Sequence, residues 1–414
     1  MLAAAWEELP RFFMVNNTSL AERFIGLYAC RMLGTSSSSG NRARKMRVAL
    51  VVPGGVDRSG EFRIIPALVA FLARLSREHE VHVFALAQEP QPGEWQLAGA
   101  RIHNIGRPRT RTRAVGAILA AHRAARFDLV HAFWSGSCGL IAVVAGALLR
   151  VPTLVHVAGG ELVALPEIGY GGLLTWRGRV RERLTLRTAS QVSAASAPVV
   201  AAIAAFGVRA LRVPLGVDLS VWPPRAPTRR HAQATARLIH VGSLNRVKDQ
   251  PTLLCAVAEL ARQGIDFHLD IVGEDTLGGE VQRLARELGL AARVTFQGFL
   301  PQRRLRPLVE AAHLMLISSR HETGPLVVLE GAVAGVPTVG TCVGHIAEWA
   351  PAAAVAVPVA DPTALAHAIA RVLADENLRL GLAHEAMRRA ILEDAEHSAR
   401  AFQKVYAGLV HPAS

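Results

Sequence analysis

Leu314-Met315-Leu316-Ile317-Ser318-Ser319-Arg320-His321-Glu322-Thr323-Gly324-Pro325-Leu326-Val327-Val328-Leu329-Glu330-Gly331-Ala332-Val333-Ala334-Gly335-Val336-Pro337-Thr338-Val339 carries the pattern from which the fold is read. Residues 314–317 form a short continuous apolar run, the kind buried on both faces of a parallel sheet. A polar loop follows, and Pro325 suits the first position of a helix over 325–334, where its missing N–H costs nothing. A second apolar run starts at 338. Strand, loop, helix, strand is the unit of an α/β sheet.

Working outward, the same alternation fills both halves of the chain. After the proline-rich 221–227, which neither helix nor strand can cross, strands are expected at 238–241, 268–272, 294–296, 314–317 and 338–340. Helices at about 251–262, 279–288, 305–312, 325–334 and 362–374 separate them. Before that break, strands are expected at 47–52, 81–86, 129–132, 153–157, 191–194 and 212–214, with helical spacing at 64–75 and 115–125. The expected fold class is α/β, with two doubly wound, Rossmann-like domains at 46–215 and 216–395 facing across a cleft. Residues 1–45 read as an N-terminal extension ending in a flexible Ser/Gly run, and 396–414 as a C-terminal helix packing back on the first domain. Open α/β sheets bind ligands at the carboxyl ends of their strands, so the loops of both domains should converge on that cleft.

Composition excludes several classes. With 414 residues, 51% hydrophobic and 19% charged, the chain suits a compact protein of two cores rather than a disordered one. The longest apolar stretch of the N-terminal half, 138–149, is too short for a bilayer span, and the first 45 residues lack the pattern of a secretory signal. Four scattered cysteines form no CxxC pair, which points to a reducing, cytoplasmic setting with no metal site. The net charge of +13 is uneven: 6 basic and 3 acidic residues in 1–45, 20 and 10 in 46–215, 20 and 20 in 216–414. Such an excess fits either a solvated arginine-rich surface or a face that meets anionic lipid or a phosphate-bearing acceptor. Nucleic acid is not expected as a partner, since no zinc-finger or RNA-binding signature accompanies the charge.

Three loops could carry chemistry. In 318–330, Glu322 precedes the helix and Glu330 lies about a turn and a half inside it. The amides of Thr323 and Gly324 can face an anion at the helix start. Carboxylates accept hydrogen bonds from paired sugar hydroxyls, although Glu322 could equally complement the helix dipole and Glu330 face solvent. In His240-Val241-Gly242-Ser243-Leu244-Asn245-Arg246-Val247-Lys248, a glycine and two cations suit a diphosphate. Lys248 stands out because Lys45 and Lys404 are the only other lysines; a compact ammonium suits phosphate as a point charge. In 53–61, Gly54 and Gly55 form a turn after the first strand that could approach phosphate or simply reverse the chain.

Together these segments resemble the GT-B glycosyltransferases, in particular the family-4 group of retaining enzymes, from about residue 46 to the C-terminus. The Glu322/Glu330 pair followed by Gly331-Ala332-Val333-Ala334-Gly335-Val336-Pro337 is the most specific mark. Gly216-Val217-Asp218, Val272-Gly273-Glu274, Phe296-Gln297-Gly298-Phe299, Gly344 and Glu348 support it. The resemblance implies a metal-independent hexosyl transfer from a nucleotide-diphosphate sugar, with no bound cofactor and with retained anomeric configuration. It implies that Glu322 holds sugar hydroxyls, Glu330 the ribose and Lys248 the diphosphate, with Arg246, Ser243, Gly324, Thr323, Gly273 and Gly55 around the donor and the base near Phe299. The chain departs from the family pattern at Ser243, where many members carry an arginine, and at Gly324-Pro325, where many carry Phe-Gly. His131 is a catalytic candidate, and with His156 stands near the family's His-x-His and His-Gly positions. A retaining glycosidase and a non-catalytic protein of the same fold remain the alternatives.

Overall fold

The computed structural model describes residues 45–231 and 233–411, which belong to one compact unit; the extension and the Ser/Gly run expected before them lie outside the described residues. Two sheets organise the chain. The first comprises β1 (Arg47–Val52), β2 (Glu80–Ala85), β3 (Gly93–Leu97), β4 (Ala100–Asn104), β5 (Leu129–Phe133), β6 (Thr153–Val157), β7 (Gln191–Ala194) and β8 (Ala210–Arg212), in the order β3-β4-β2-β1-β5-β6-β7-β8. All neighbours are parallel except the β3–β4 hairpin. The second sheet is wholly parallel: β9 (Ala236–Val241), β10 (Phe267–Val272), β11 (Val294–Gly298), β12 (Leu314–Ile317), β13 (Thr338–Thr341) and β14 (Ala354–Val357), ordered β11-β10-β9-β12-β13-β14.

Each order reverses once. In the first sheet the chain leaves β1 toward β2 and β4, then returns to β5 on the other side of β1; in the second it leaves β9 toward β10 and β11, then returns to β12 beside β9. Loops leaving the two strands at such a reversal run apart and open a crevice between them. The 242–249 loop after β9 and the 318–325 loop after β12 are therefore neighbours although about seventy residues separate them, and the topology alone brings them together.

Helices cover both faces of the first sheet. On one side lies α1 (Pro66–Glu78), opened by proline and burying Leu68, Phe71, Leu72 and Leu75 at helical spacing. On the other lie α2 (Thr110–Ala124), α3 (Leu140–Leu149) and α4 (Trp176–Thr188), followed by the short α5 (Ala197–Ala204). Around the second sheet run α6 (Gln250–Arg262), α7 (Glu280–Glu287), α8 (Gln302–Ala311), α9 (Leu326–Val333), α10 (Gly344–Trp349), α11 (Pro362–Ala374) and α12 (Glu376–Leu392). The last helix, α13 (Ala395–Val410), crosses back. Asp394 caps its first turn through His397 N, and its Phe402 and Tyr406 join Leu50, Phe71 and Phe133 in the first sheet's core. Among the described residues no helix is long and apolar enough to cross a membrane.

The two chain crossings between the sheets lie side by side. Ala395 N donates to Val217 O at 3.0 Å and Gly216 N to Ser398 Oγ at 2.8 Å. A β-carbon on Gly216 would stand 2.1 Å from Glu393 O, so only glycine allows this approach. Arg74 on α1 grips Asp218 through both carboxylate oxygens at 3.0 Å, tying the first sheet's layer to the linker.

Candidate active site

Lys248 and Glu322 meet. Lys248 Nζ lies 2.5 Å from Glu322 Oε1, which also accepts from Ser319 Oγ at 2.7 Å. Both loops are fixed before this contact forms. Buried His240, at the end of β9, donates from Nδ1 to Leu316 O at 2.9 Å, with the tautomer assigned from its partners, and burial lowers its pKa to about 4. Gln250 bridges His240 Nε2 and Ser243 O, holding the turn against the strand. Asp249, in the left-handed region at φ 50°, pairs with Arg320, while Ser318 Oγ donates to Lys248 O at 2.8 Å. The lysine stem crosses Gly242, where a β-carbon would lie 3.3 Å from Lys248 Cε. Two cross-loop ion pairs and these hydrogen bonds hold the ammonium in place and leave its side chain about a quarter exposed.

The helix behind Glu322 starts one residue later than its sequence implies. Pro325 has an extended ψ of 114° and is the N-cap of α9, not its first helical residue. The amides free to face an anion are thus those of Leu326 and Val327, since Val328 N already donates to Pro325 O. Thr323 and Gly324 do other work. Thr323 Oγ1 donates to Ala158 O at 2.9 Å, and Gly324 presses against His345 and Ala195, so this segment seals the two sheets' layers together.

Glu330 is buried on α9. Its Oε1 accepts from Gln302 Nε2 at 2.8 Å, and Gln302 Oε1 in turn accepts from Trp222 Nε1. Burial pushes its carboxyl up to about 7. It lines a cavity of about 340 Å³ between the layers, walled by α1 from Pro66 to Ala73, by Gly216–Asp218 and by Trp222 and Leu326. At the cavity's outer edge Arg303 pairs with Glu61 at 2.6 Å, and the half-exposed Phe299 meets Phe62 with ring centroids 6.1 Å apart.

Several sequence expectations need correction. His131, the catalytic candidate, sits within β5; it is fully buried among Phe71, Phe133 and Phe402, and its Nδ1 bonds Tyr406 OH at 2.7 Å. A histidine enclosed this way packs a core and reaches no substrate. His156 is likewise buried, against Ser193, with its pKa lowered to about 3. The Gly55 amide is taken by Gln88 Oε1 at 2.7 Å, and its φ of 79° makes the turn that brings Ile65 close, so it serves the chain and not a phosphate. Gly273 N donates to Gly298 O, and its Cα lies so near Gly242 O that a β-carbon would approach within 2.0 Å; it packs two loops together. Arg246 is exposed on the Lys248 loop and, among the described residues, has no hydrogen-bond or ion-pair partner; Ser243 lies half-buried on the same turn.

The sequence reading also missed residues of the site. Tyr170 stands 6.2 Å from the His321 ring and feels the charges of both Glu322 and Glu161. Glu161 Oε1 accepts from Ser135 N at 2.9 Å, while Oε2 is buried without a hydrogen-bond partner, and burial raises its carboxyl to about 7. The nearby Trp134 holds a positive φ of 71°, strain of the sort that collects beside functional sites. The doublet Gly159-Gly160 could have signalled this corner, since Gly160 has no room for a β-carbon beside the Tyr170 ring.

Two family models match the chain: the Glycosyl transferase 4-like domain over residues 63–216 and Glycosyl transferases group 1 over 228–389. Among curated relatives, a GDP-mannose-dependent alpha-(1-6)-phosphatidylinositol dimannoside mannosyltransferase of Mycobacterium tuberculosis is 32% identical over 39% of this chain and 43% of its own length. A D-inositol 3-phosphate glycosyltransferase of Corynebacterium jeikeium is 31% identical over 47% of this chain and 50% of its own. The chain thus spans about half the length of the curated relatives it matches. Among solved structures, sucrose-phosphate synthase from Thermosynechococcus elongatus superposes with a TM-score of 0.73 at 22% identity, over 89% of this chain and 100% of that one. HepE of Anabaena, solved with UDP-glucose, gives 0.67 at 19%, over 88% and 100%. With both halves matched in order and two parallel Rossmann-like sheets joined as in these structures, the chain belongs to the GT-B glycosyltransferases.

Proposed function

We propose that this chain transfers a hexose from a nucleotide-diphosphate sugar to an acceptor hydroxyl, with retention of anomeric configuration and without a metal ion. The observation that carries the reading is the Lys248–Glu322 contact at the strand-order reversal, with the free amides of α9 beside it. In this reading the diphosphate displaces Glu322 from Lys248, its charge shared by the ammonium, Arg246 and the Leu326 and Val327 amides. Fixed cations and dipoles aimed at a leaving group are the largest single source of rate in such sites. Glu322, released but held by Ser319, accepts from the sugar's hydroxyls, while Glu330 takes the ribose from within its cavity and Phe299 covers the base. The sequence holds no Asp-x-Asp for a divalent ion, so these groups carry the phosphate charge themselves. Retention follows if acceptor and leaving group share one face of the sugar, the side toward Tyr170 and Glu161.

The relatives' names support a nucleotide-bound donor: one is GDP-mannose-dependent, and HepE is solved with UDP-glucose. The acceptor is a hydroxyl of a glycan, a lipid-linked group or a small polyol, and the setting is cytoplasmic. Turnover of a nucleotide-sugar panel, with the product's anomeric proton followed by NMR, tests the reading. Lys248→Ala and Glu322→Ala are each expected to lose about a hundredfold in rate while keeping the unfolding temperature. Unchanged turnover in either removes that residue from the site. A product of inverted configuration refutes retention.

A further inference from the structure

Helix α4 is built inside out. It turns Gly178, Glu182, Thr185 and Leu186 toward the protein, while Trp176, Val180 and Leu184 are 64%, 57% and 50% exposed. Residues four apart stack on one side of a helix, so these three form a single apolar stripe facing outward. Surface helices ordinarily do the reverse. The adjoining α3 repeats the pattern: from Leu140 to Leu149 it has no charged residue, and Val144 and Leu148 face solvent. Helix α2 packs on the far side of α3, and the groove between them is lined by Val115, Leu119, Leu140 and Val144.

The exposed charges of these three helices have one sign. Arg111 and Arg113 on α2 and Arg177, Arg179, Arg183 and Arg187 on α4 are exposed. The only acid on the three helices, Glu182, is buried against Ser135 and Arg181. A protein partner's surface mixes both signs around an apolar centre. An apolar stripe with a tryptophan at its end, on helices whose exposed charges are all arginines, matches the headgroup layer of a negatively charged bilayer instead. Trp176 suits that layer, with an apolar ring and a polar N–H.

We propose that the α3–α4 face docks on the surface of an anionic phospholipid bilayer, with Trp176, Val180, Leu184, Val144 and Leu148 entering the boundary between headgroups and acyl chains. The arginines of α2 and α4 then lie at the level of the lipid phosphates. None of the described helices is long and apolar enough to cross, so attachment through this face is peripheral. The face is joined to the site by a short path: Trp176 follows Tyr170 by one loop, and Tyr170 contacts His321 next to Glu322. The proposal rests on the surface of these helices and not on sugar transfer, so either can fail alone.

The test sediments the full chain with vesicles of phosphatidylcholine alone and with vesicles in which phosphatidylglycerol replaces part of it. Binding is expected only to the anionic vesicles, weakened about tenfold or more when salt is raised toward molar concentration. The double variant Val180→Glu, Leu184→Glu changes only exposed positions and should keep the wild-type unfolding temperature, yet lose about tenfold or more in vesicle affinity. Equal binding to both vesicle types, no binding to either, or wild-type binding by the double variant overturns the proposal. A wild type that dimerises in buffer through a contact abolished by Leu148→Glu also overturns it, since a second copy would then cover the face.

Discussion

Lys248 reaches Glu322 because Gly242 leaves its stem a path across the end of β9. A methyl group at 242 would meet Lys248 Cε at 3.3 Å, close enough to shift the ammonium by a few tenths of an ångström without collision against backbone. Gly242→Ala is therefore expected to leave the unfolding temperature within a degree or two of wild type but to weaken nucleotide-sugar affinity severalfold. Calorimetry on wild type and Gly242→Ala checks this, and unchanged affinity would show that the lysine's placement does not matter. Glu330 gives a pH-dependent counterpart. Its folded-state pKa, raised by burial to about 7, exceeds the ordinary glutamate value of 4.5. The stability it contributes is thus fully present below about pH 4.5 and lost as pH rises through about 7. Glu330→Gln should raise the unfolding temperature at about pH 8 and scarcely change it at about pH 4.5. An equal shift at both would mean that the carboxyl ionises without penalty.

At the scale of elements, the two crossings between the sheets depend on a single missing side chain. Gly216 lies against the Glu393 and Asp394 backbone, which cannot rotate aside as a side chain could. Gly216→Ala should cost about 1–3 kcal/mol of stability by overpacking, read from urea unfolding. A neutral result would show that the crossings slide past one another freely. The strands and helices that face a core on the sheet period or the helix period were legible in the sequence: β6, β7, β12 and α11 fall at the residues their spacing implies. What escaped lacked that signal. The β3–β4 hairpin alternates on a sheet edge and turns at Ala98-Gly99, with φ of 51° and 81°, where no Asn-Gly announces the reversal. Helix α4 buries Glu182 and Thr185 and exposes Trp176, Val180 and Leu184, so a search for an inward apolar stripe passes over it. Lys248 and Glu322 were legible because each lies on the loop leaving a strand's carboxyl end, and β9 and β12 are neighbours, which sets those loops side by side. His131 misled because a buried core histidine and a strand-end catalyst look alike in a single sequence. Glu161 and Tyr170 depend on the path of a loop that no periodicity specifies.

Across the whole molecule, the two layers are joined at the linker by Arg74–Asp218, beside Glu322 by Thr323–Ala158, and at the outer edge of the Glu330 cavity by Glu61–Arg303 with Phe62 on Phe299. The outer pair is exposed, and such pairs contribute little to stability. In the proposed function it closes over the donor's nucleoside. Phe62→Ala should raise KM for the donor severalfold at an unchanged unfolding temperature, as steady-state kinetics would show; an unchanged KM would exclude the contact from donor binding. In the proposed function Lys248 and Glu322 grip different parts of one donor, the diphosphate and the sugar. Titrating a bound nucleotide sugar and its parent nucleoside diphosphate against wild type, Lys248→Ala and Glu322→Gln measures that division directly. Lys248→Ala should weaken both ligands; Glu322→Gln, which frees Lys248 from its ion pair, should weaken the nucleotide sugar while the nucleoside diphosphate binds as tightly as in wild type or tighter. Equal losses for both ligands in Glu322→Gln, or no loss in Lys248→Ala, would contradict it.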